Sequence, residues 1–292
     1  MKYNIIYKPE KITVKGLKQF NPVHIFECGQ CFRWNKEDNG IYTGIAHKKV
    51  ISVIKSEENT IFENVDKNDF DTIWFNYFDL RRDYQEIQDD LRKNDKVMCQ
   101  AIDFGEGIRI LNQELWETIV SFIISANNNI PRIKKSIEMI CERYGDYIGT
   151  YNGKKRYGFP DPHIIKQLSE ADLKACNVGY RASYIIGAAS YFDNGRLTQK
   201  LNHVSAEESQ KKLIALPGVG PKVAHCINVF SLEKREAFPV DVWIKRIMEH
   251  LYFNTPTSTK KIQEFADNKF GLWAGYAQQY LFYYGREMNI GK

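Results

Sequence analysis

The sequence predicts an α+β protein in which an N-terminal antiparallel β-sheet domain packs on a larger, all-helical region. Residues 3–65 alternate polar with apolar side chains and are rich in β-branched and aromatic residues, which is typical of strands. From about Asp66 onward, apolar residues recur at helical spacing. Two of these helical patterns meet at a glycine- and proline-rich turn near residue 220. We expect the sheet domain with its following helices over residues 1–98 and the helical region over residues 99–292.

One hairpin of the sheet is marked by its turn. Asp38-Asn39-Gly40 separates the apolar segment 31–34 from the segment 41–45, and residues 50–54 form a further strand-like run. An Asn-Gly pair between such segments favours a tight hairpin turn, because both residues tolerate positive φ angles. The sequence therefore predicts consecutive antiparallel strands in this part of the chain.

Two later segments are apolar enough to be core helices. Residues 111–126 carry a dense apolar stripe that runs into three asparagines, whose side chains compete for backbone hydrogen bonds and readily end a helix. Residues 270–284 carry a broad aromatic stripe. Gln278 and Phe282 lie four residues apart on this second segment and so share a helix face. From spacing alone, Phe282 is a core residue.

The glycine-rich turn joins two helical patterns into a helix–hairpin–helix over residues 206–231. The turn reads Pro-Gly-Val-Gly-Pro, a sequence that permits a very tight connection. The backbone N–H groups of Gly218, Gly220 and Val223 would lie at a helix start, where unpaired donors and the positive end of the helix dipole favour a phosphate. Such a hairpin grips a nucleic-acid backbone without reading its sequence. Taken alone, it is equally typical of a non-catalytic DNA-binding module.

A lysine and a carboxylate accompany the hairpin. Lys222 lies on the first turn of its second helix, and Asp241 follows Pro239-Val240 at a predicted N-cap. The two matching segments, 216–222 and 239–242, resemble the helix–hairpin–helix, Gly/Pro-loop, Asp (HhH-GPD) superfamily of DNA base-excision glycosylases, and most closely its 8-oxoguanine DNA glycosylase branch. Other matching stretches extend from about residue 29 to residue 282.

The resemblance implies a bifunctional DNA glycosylase/AP lyase that excises 8-oxoguanine from duplex DNA in base excision repair. Lys222 would attack C1′ of the extruded nucleotide, and Asp241 would stabilise the positive charge that develops on the sugar. The resulting Schiff base would permit strand cleavage by β-elimination. Because a lysine attacks only as the free amine, we expect Lys222 in a cleft lined by apolar groups.

The resemblance also implies a pocket for the extruded base. Gly29 matches a glycine whose carbonyl accepts the N7–H that only the lesion carries, although a glycine here is as typical of a strand bend. Gln278 and Phe282 match residues that hydrogen-bond and stack on the base. We hypothesise that Phe282 and Cys226 sandwich its ring. Pro239, from the second matching segment, completes the predicted pocket.

Two loops are predicted to contact DNA. Asn127 and Arg132 match family residues that enter the hole left by the extruded base, and Tyr180 with Arg181 supplies an aromatic wedge beside a cation. The two arginines match the pair that contacts the orphaned cytosine, whose N3 and O2 acceptors suit guanidinium donors. The alternatives are that either arginine pairs only with phosphate and that the second loop only caps a helix. Trp243 replaces a histidine common in eukaryotic members, which puts its phosphate contact in doubt.

Composition limits the cofactors. The chain has 292 residues and a formal net charge of +5, and its basic residues often fall in pairs, which suits a phosphate-tracking face. Six cysteines are too sparse for a disulfide scaffold, and none follows Cys226, so we do not expect the C-terminal four-cysteine iron–sulfur cluster of some relatives. Cys28 and Cys31 form a lone CxxC without a second pair. We expect no metal site and no cofactor, with a monovalent or divalent cation at the hairpin left open.

The expected cellular location follows from two features of the sequence: no signal-peptide pattern and no apolar run long enough to span a membrane. We expect an intracellular monomer without membrane association, in the cytoplasm or nucleoid of a prokaryote or the nucleus of a eukaryote. Its expected partner is double-stranded DNA with 8-oxoguanine, preferentially opposite cytosine. Two alternatives stay open: a monofunctional alkylated-base glycosylase that uses water and Asp241 alone, and a non-catalytic helix–hairpin–helix DNA-binding module.

Overall fold

The N-terminal part of the chain forms an antiparallel sheet. The computed structural model describes residues 3–192 and 196–291. The strands of the sheet within these residues are β1 Asn4–Lys8, β2 Lys11–Lys15, β3 Trp34–Lys36, β4 Tyr42–Ala46, β5 Lys49–Lys55 and β6 Asn59–Glu63. They are hydrogen-bonded in the order β1-β2-β6-β5-β4-β3. With the helices that follow, this sheet confirms the predicted α+β class.

The predicted hairpin at residues 38–40 joins β3 to β4, and the packing of these strands holds the loop that precedes β3. Gly40 has a φ of +82°, and Trp34 pairs with Gly44 across the two strands. A Cβ at Gly44 would lie 2.2 Å from the indole of Trp34, so only glycine fits there. The ring of Phe26, the last residue of helix α1 (Pro22–Phe26), stacks on the Trp34 indole with the two ring centres 3.8 Å apart. This packing anchors both ends of the segment that carries Gly29.

Helices make up most of the remaining chain. Helix α2 Lys67–Asp69 continues through a π-helical segment, Phe70–Trp74, into α3 Phe75–Tyr77. The later helices of the described residues are α4 Tyr84–Arg92, α5 Lys96–Phe104, α6 Leu115–Ser125, α7 Ile130–Tyr144, α8 Pro162–Lys166, α9 Glu170–Lys174, α10 Arg181–Tyr191, α11 Arg196–Asn202, α12 Ala206–Ile214, α13 Pro221–Ser231, α14 Val242–Met248, α15 Thr259–Phe270 and α16 Ala274–Glu287. A short antiparallel hairpin that we did not predict, β7 Tyr147–Tyr151 with β8 Lys154–Tyr157, follows α7.

Two predicted helices begin later than their apolar patterns indicate. Residues 111–114 precede α6 without being helical, and here Asn112 N donates to the carbonyl of Tyr77 at 2.9 Å and Gln113 N donates to that of Phe230 at 2.8 Å. The pattern at 270–284 is interrupted at Gly271, which has a φ of +51° and ends α15. Long-range hydrogen bonds and a glycine therefore override the periodicity at these positions.

The chain buries two hydrophobic cores. A smaller core lies against the sheet and includes Phe62 and Leu111, whereas a larger core among the helices includes Cys28 and Tyr84. The chain passes between these cores more than once, so the predicted domain boundary at residues 98/99 stays a prediction. Along the described residues, no helix is both long and apolar enough to span a bilayer.

Candidate active site

The predicted helix–hairpin–helix forms from α12 and α13. Gly218 has a φ of +78°, and a Cβ at this position would lie 2.7 Å from the Cβ of Tyr184 on α10. Gly220 is the N-cap of α13, and Val223 is the third residue of that helix, so its N–H belongs to the first turn, which has no intrahelical acceptor. The turn therefore needs glycine for its backbone and for its close packing on α10.

Lys222 lies at the second position of α13, where it faces the C-terminal end of α6. Its Nζ donates to Ser125 Oγ at 3.5 Å and lies 5.2 Å from the centre of the Phe122 ring. Cys226 follows one turn later and is 3% exposed. Burial raises the pKa of the Cys226 thiol to about 11, with the Lys222 charge opposing this and the Asp241 charge adding to it. The thiol is therefore a neutral group, close to both predicted catalytic residues.

Asp241 is the N-cap of α14, as predicted. Its Oδ1 accepts a hydrogen bond from the backbone N–H of Ile244 at 2.8 Å. The carboxylate also lies at the N-terminal end of the helix, where the helix dipole is positive. Packing of α13 against α6 and of α14 against α16 brings these helix ends together.

One cavity collects all the residues predicted for catalysis and for the base pocket. It is lined by Lys222, Asp241, Gly29, Cys226, Pro239, Gln278 and Phe282 together with Cys28, Phe122, Phe230 and Gln279. The last four residues, and Ser125 beside Lys222, are site residues that the sequence analysis missed. Phe122 and Phe230 stack at 5.4 Å, so the cavity has the apolar wall expected around Lys222. A larger cavity, of about 840 Å³, lies against β1 and contains none of the predicted site residues.

Phe282 closes this cavity against Gly29. The free volume is only about 30 Å³, room for about one or two water molecules and far too little for a purine. Gly29 has a φ of +82°, and a Cβ there would lie 3.1 Å from Cε1 of the Phe282 ring. In this arrangement the cavity does not accommodate a base, and the Phe282 ring lies against Gly29.

Gln278 is held in the wall of the cavity by its neighbour. It is 5% exposed, and its Oε1 accepts a hydrogen bond from Gln279 Nε2 at 2.7 Å. With the amide assigned this way, Gln278 Oε1 is already engaged and its Nε2 carries the donors of this side chain. Gln279 Oε1 is buried and lacks a hydrogen-bond partner among the residues described.

The two predicted DNA-contacting loops lie side by side. Asn127 is exposed, with a φ of +50°, at the end of α6. Arg181, only 8% exposed, donates through Nη2 to the carbonyls of Ala126 and Asn127, the latter at 3.2 Å. Its guanidinium also lies 4.5 Å from the ring centre of Tyr180, which is 58% exposed. Arg181 therefore holds the asparagine loop in place, and its contact with an orphaned cytosine stays a prediction.

Arg132 lies on the first turn of α7 and is exposed. Its backbone N–H is capped by the side chain of Asn129 at 3.1 Å. Tyr184, which sequence reasoning missed, stands one helical turn after Tyr180 and is 41% exposed, with the two rings 6.1 Å apart. The loops thus present a cation and two aromatic rings beside the hairpin. Trp243 is partly buried on the first turn of α14.

Comparison with known families decides the assignment. Residues 12–119 match the family model described as the 8-oxoguanine DNA glycosylase N-terminal domain, and residues 120–270 match that of HhH-GPD superfamily base excision DNA repair proteins. The chain belongs to the 8-oxoguanine glycosylase branch of the HhH-GPD superfamily. The predicted family is thereby confirmed.

Relatives of this superfamily member cover most of its length. A probable N-glycosylase/DNA lyase of Methanothermobacter thermautotrophicus is 33% identical over 233 residues, which are 73% of this chain and 74% of the relative. An N-glycosylase/DNA lyase of Saccharomyces cerevisiae is 31% identical over 89% of this chain and 81% of its own. The 8-oxoguanine glycosylase/lyase of Clostridium acetobutylicum, solved with double-stranded DNA that carries cytosine opposite 8-oxoguanine, is 43% identical, with a TM-score of 0.95 over 99% of this chain and 100% of that one.

Proposed function

We infer that this protein is a bifunctional DNA glycosylase/AP lyase that excises 8-oxoguanine from duplex DNA. The observation that carries this inference is the shared cavity at the start of α13, where Lys222 and Asp241 meet the predicted base-pocket residues. A non-catalytic hairpin module binds DNA without needing a nucleophile such as Lys222 beside a neutral thiol and an apolar wall. The relatives named N-glycosylase/DNA lyase support the same activity.

DNA binding begins at the hairpin. The N–H groups of the turn and of the first turn of α13 bind a phosphate of the lesion strand, and the exposed Arg132 engages the duplex nearby. The target nucleotide leaves the stack, because its C1′ is out of reach inside the duplex. Asn127 and Tyr180 then occupy the space that it vacates, which explains why both are exposed at the tips of loops that Arg181 ties together.

The chemical step follows from the positions of two residues. The free amine of Lys222 attacks C1′ while the bond from C1′ to the base breaks, and the electron pair of that bond leaves with the base. The carboxylate of Asp241, held by its N-cap hydrogen bond, stabilises the positive charge that builds up on the sugar. A proton then passes from the attached nitrogen to O4′ as the C1′–O4′ bond breaks, which opens the adduct to a Schiff base between Lys222 and C1′. Loss of a proton from C2′ then expels the 3′-phosphate by β-elimination.

The base is read on the opposite wall of the cavity. The carbonyl of Gly29 accepts the N7–H of 8-oxoguanine, whereas guanine would present a lone pair there and leave the buried carbonyl unpaired. Gln278 bonds the Watson–Crick edge, and Phe282 and Cys226 enclose the ring, with Pro239 beside them. A neutral thiol suits this task, because it packs as a small apolar group.

The opposite base is read by Arg132 and Arg181. Their guanidinium groups donate to N3 and O2 of the orphaned cytosine, whereas adenine places an amino donor beside its N1 acceptor. The preferred substrate is therefore 8-oxoguanine opposite cytosine. We propose that the protein acts on this duplex as a monomer and without a cofactor, since a side chain supplies the nucleophile.

Borohydride trapping on duplex DNA with 8-oxoguanine opposite cytosine tests the proposal. Reduction of the Schiff base should link the protein covalently to DNA, and Lys222→Gln should abolish both the adduct and excision. Lys211→Gln is the matched control, because Lys211 is 71% exposed on α12 and pairs with Glu207. Excision without an adduct would indicate a monofunctional glycosylase, and binding without turnover on a panel of lesions would indicate a binding module.

A further inference from the structure

Arg286 joins the two parts of the molecule that close the base pocket. It lies on α16 one helical turn after Phe282, so both side chains point toward the segment that carries Gly29. Its Nη2 donates to the carbonyl of Glu27 at 2.5 Å, and its guanidinium lies 5.6 Å from the centre of the Phe282 ring. One side chain therefore contacts the backbone just before Gly29 and also the ring that covers Gly29.

A second observation is the unpaired donor of this arginine. Nη1 of Arg286 is buried, lacks a hydrogen-bond partner among the residues described, and would lie 3.8 Å from a Cβ at Gly29. A buried donor without an acceptor raises the free energy of the arrangement that contains it. The unpaired Nη1 therefore raises the free energy of the arrangement in which Phe282 lies against Gly29. A rearrangement that gives Nη1 an acceptor would remove this cost.

We propose that Arg286 is a positioning residue for lesion recognition, an inference that rests on the proposed function. Through Glu27 it fixes the backbone that presents the Gly29 carbonyl, and through its guanidinium face it guides Phe282 between the closed position and one stacked on the base. Gly29 has no side chain of its own to hold its carbonyl, although its neighbours Cys28 and Gln30 are buried. A fixed carbonyl is what the discrimination of N7–H from a lone pair requires.

The test separates reading the base from cleaving the strand. A preformed abasic site has no base to be read, so its cleavage needs Lys222 and Asp241 but not the pocket. Arg286→Gln should lower single-turnover excision of 8-oxoguanine at least tenfold and leave cleavage of abasic DNA within about twofold of the wild type, since hydrogen bonds to charged groups contribute more than neutral ones. Arg286→Lys, which keeps one cationic donor for Glu27 but not the planar face, should recover part of the loss.

Arg92→Gln is the matched control. Arg92 is also a partly buried arginine that donates to a backbone carbonyl, that of Cys99 at 3.3 Å, and pairs with Asp103, away from the pocket. It should keep both activities. Equal loss of excision and abasic cleavage in Arg286→Gln, or full excision by that variant, would overturn the positioning role. Failure of the wild type to cleave or trap abasic DNA would instead refute the proposed function.

Discussion

Asp241 caps a helix and, as proposed, stabilises charge during the reaction, and two substitutions separate these two roles. Its Oδ1 caps α14 by accepting from Ile244 N at 2.8 Å, and its charge faces the cavity that holds Lys222. Asparagine caps a helix about as well as aspartate but carries no charge, whereas alanine does neither. Asp241→Asn should therefore remove only the chemical task, and Asp241→Ala should remove both.

The expected magnitudes differ enough to be resolved. Loss of a group that stabilises charge in the transition state lowers the rate roughly 100- to 1,000-fold, and this should appear in both variants. Loss of an N-cap costs about 1 kcal/mol, and only Asp241→Ala should show it. In a chain of this size that cost lowers Tm by roughly 2 °C.

Single-turnover excision on lesion DNA and thermal unfolding measure the two effects in the same samples. Ser258→Ala is the control for a lost cap, because Ser258 caps α15 by accepting from Lys261 N at 3.3 Å. It should lower Tm by a similar amount and leave excision unchanged. If Asp241→Asn excised within tenfold of the wild type, or if activity in all three variants followed Tm, the electrostatic role of Asp241 would be refuted.

Three further substitutions probe the surroundings of the site. Arg132→Met should reduce the ratio of excision opposite cytosine to excision opposite adenine at least about fivefold, with much less effect on the cytosine-paired rate, and equal excision opposite all four bases by the wild type would contradict the role of Arg132. Ser125→Ala removes the acceptor for Lys222 Nζ and should slow borohydride trapping about two- to tenfold at unchanged DNA affinity. An unchanged trapping rate would show that this hydrogen bond does not contribute to the reaction. Burial raises the pKa of Glu117 from 4.5 to about 7, so the contribution of its protonated form to stability is complete below about pH 4.5 and is lost as the pH rises from there through 7. The free energy of unfolding of Glu117→Gln minus that of the wild type, measured with urea, should therefore increase by about 2–3 kcal/mol between pH 5 and pH 8.5. A difference that does not change with pH would refute the raised pKa of Glu117.

The features that could be predicted best from the sequence are those that neighbouring residues determine. The Asn-Gly turn, the glycines of the hairpin and the N-cap at Asp241 depend on backbone preferences of neighbouring residues, and all three appear where expected. Two α6 residues beside Lys222, Phe122 and Ser125, carry no local signal. They look like an ordinary apolar stripe and its end until the fold places α6 against α13.

Long-range contacts account for what the sequence did not predict. The contact of Arg181 with the orphaned cytosine stays a prediction, but the sequence did not indicate that its guanidinium also donates to the carbonyls of Ala126 and Asn127, more than fifty residues earlier. Periodicity at residues 111–114 indicated helix, but backbone hydrogen bonds to distant segments hold them outside α6. Nothing in the local sequence reports such partners.

The candidate site has two halves, one for the proposed chemistry and one for the proposed reading of the base. Lys222 and Asp241 lie in the first turn and at the N-cap of two helices packed into the larger core, so their positions follow from the fold itself. The half proposed to read the base consists of Gly29, on a loop, and Phe282, whose ring lies against it in a cavity of about 30 Å³. If, as proposed, the base binds between Gly29 and Cys226, the Phe282 ring must move before Lys222 can attack, so we expect an undamaged base that does not displace Phe282 to escape excision.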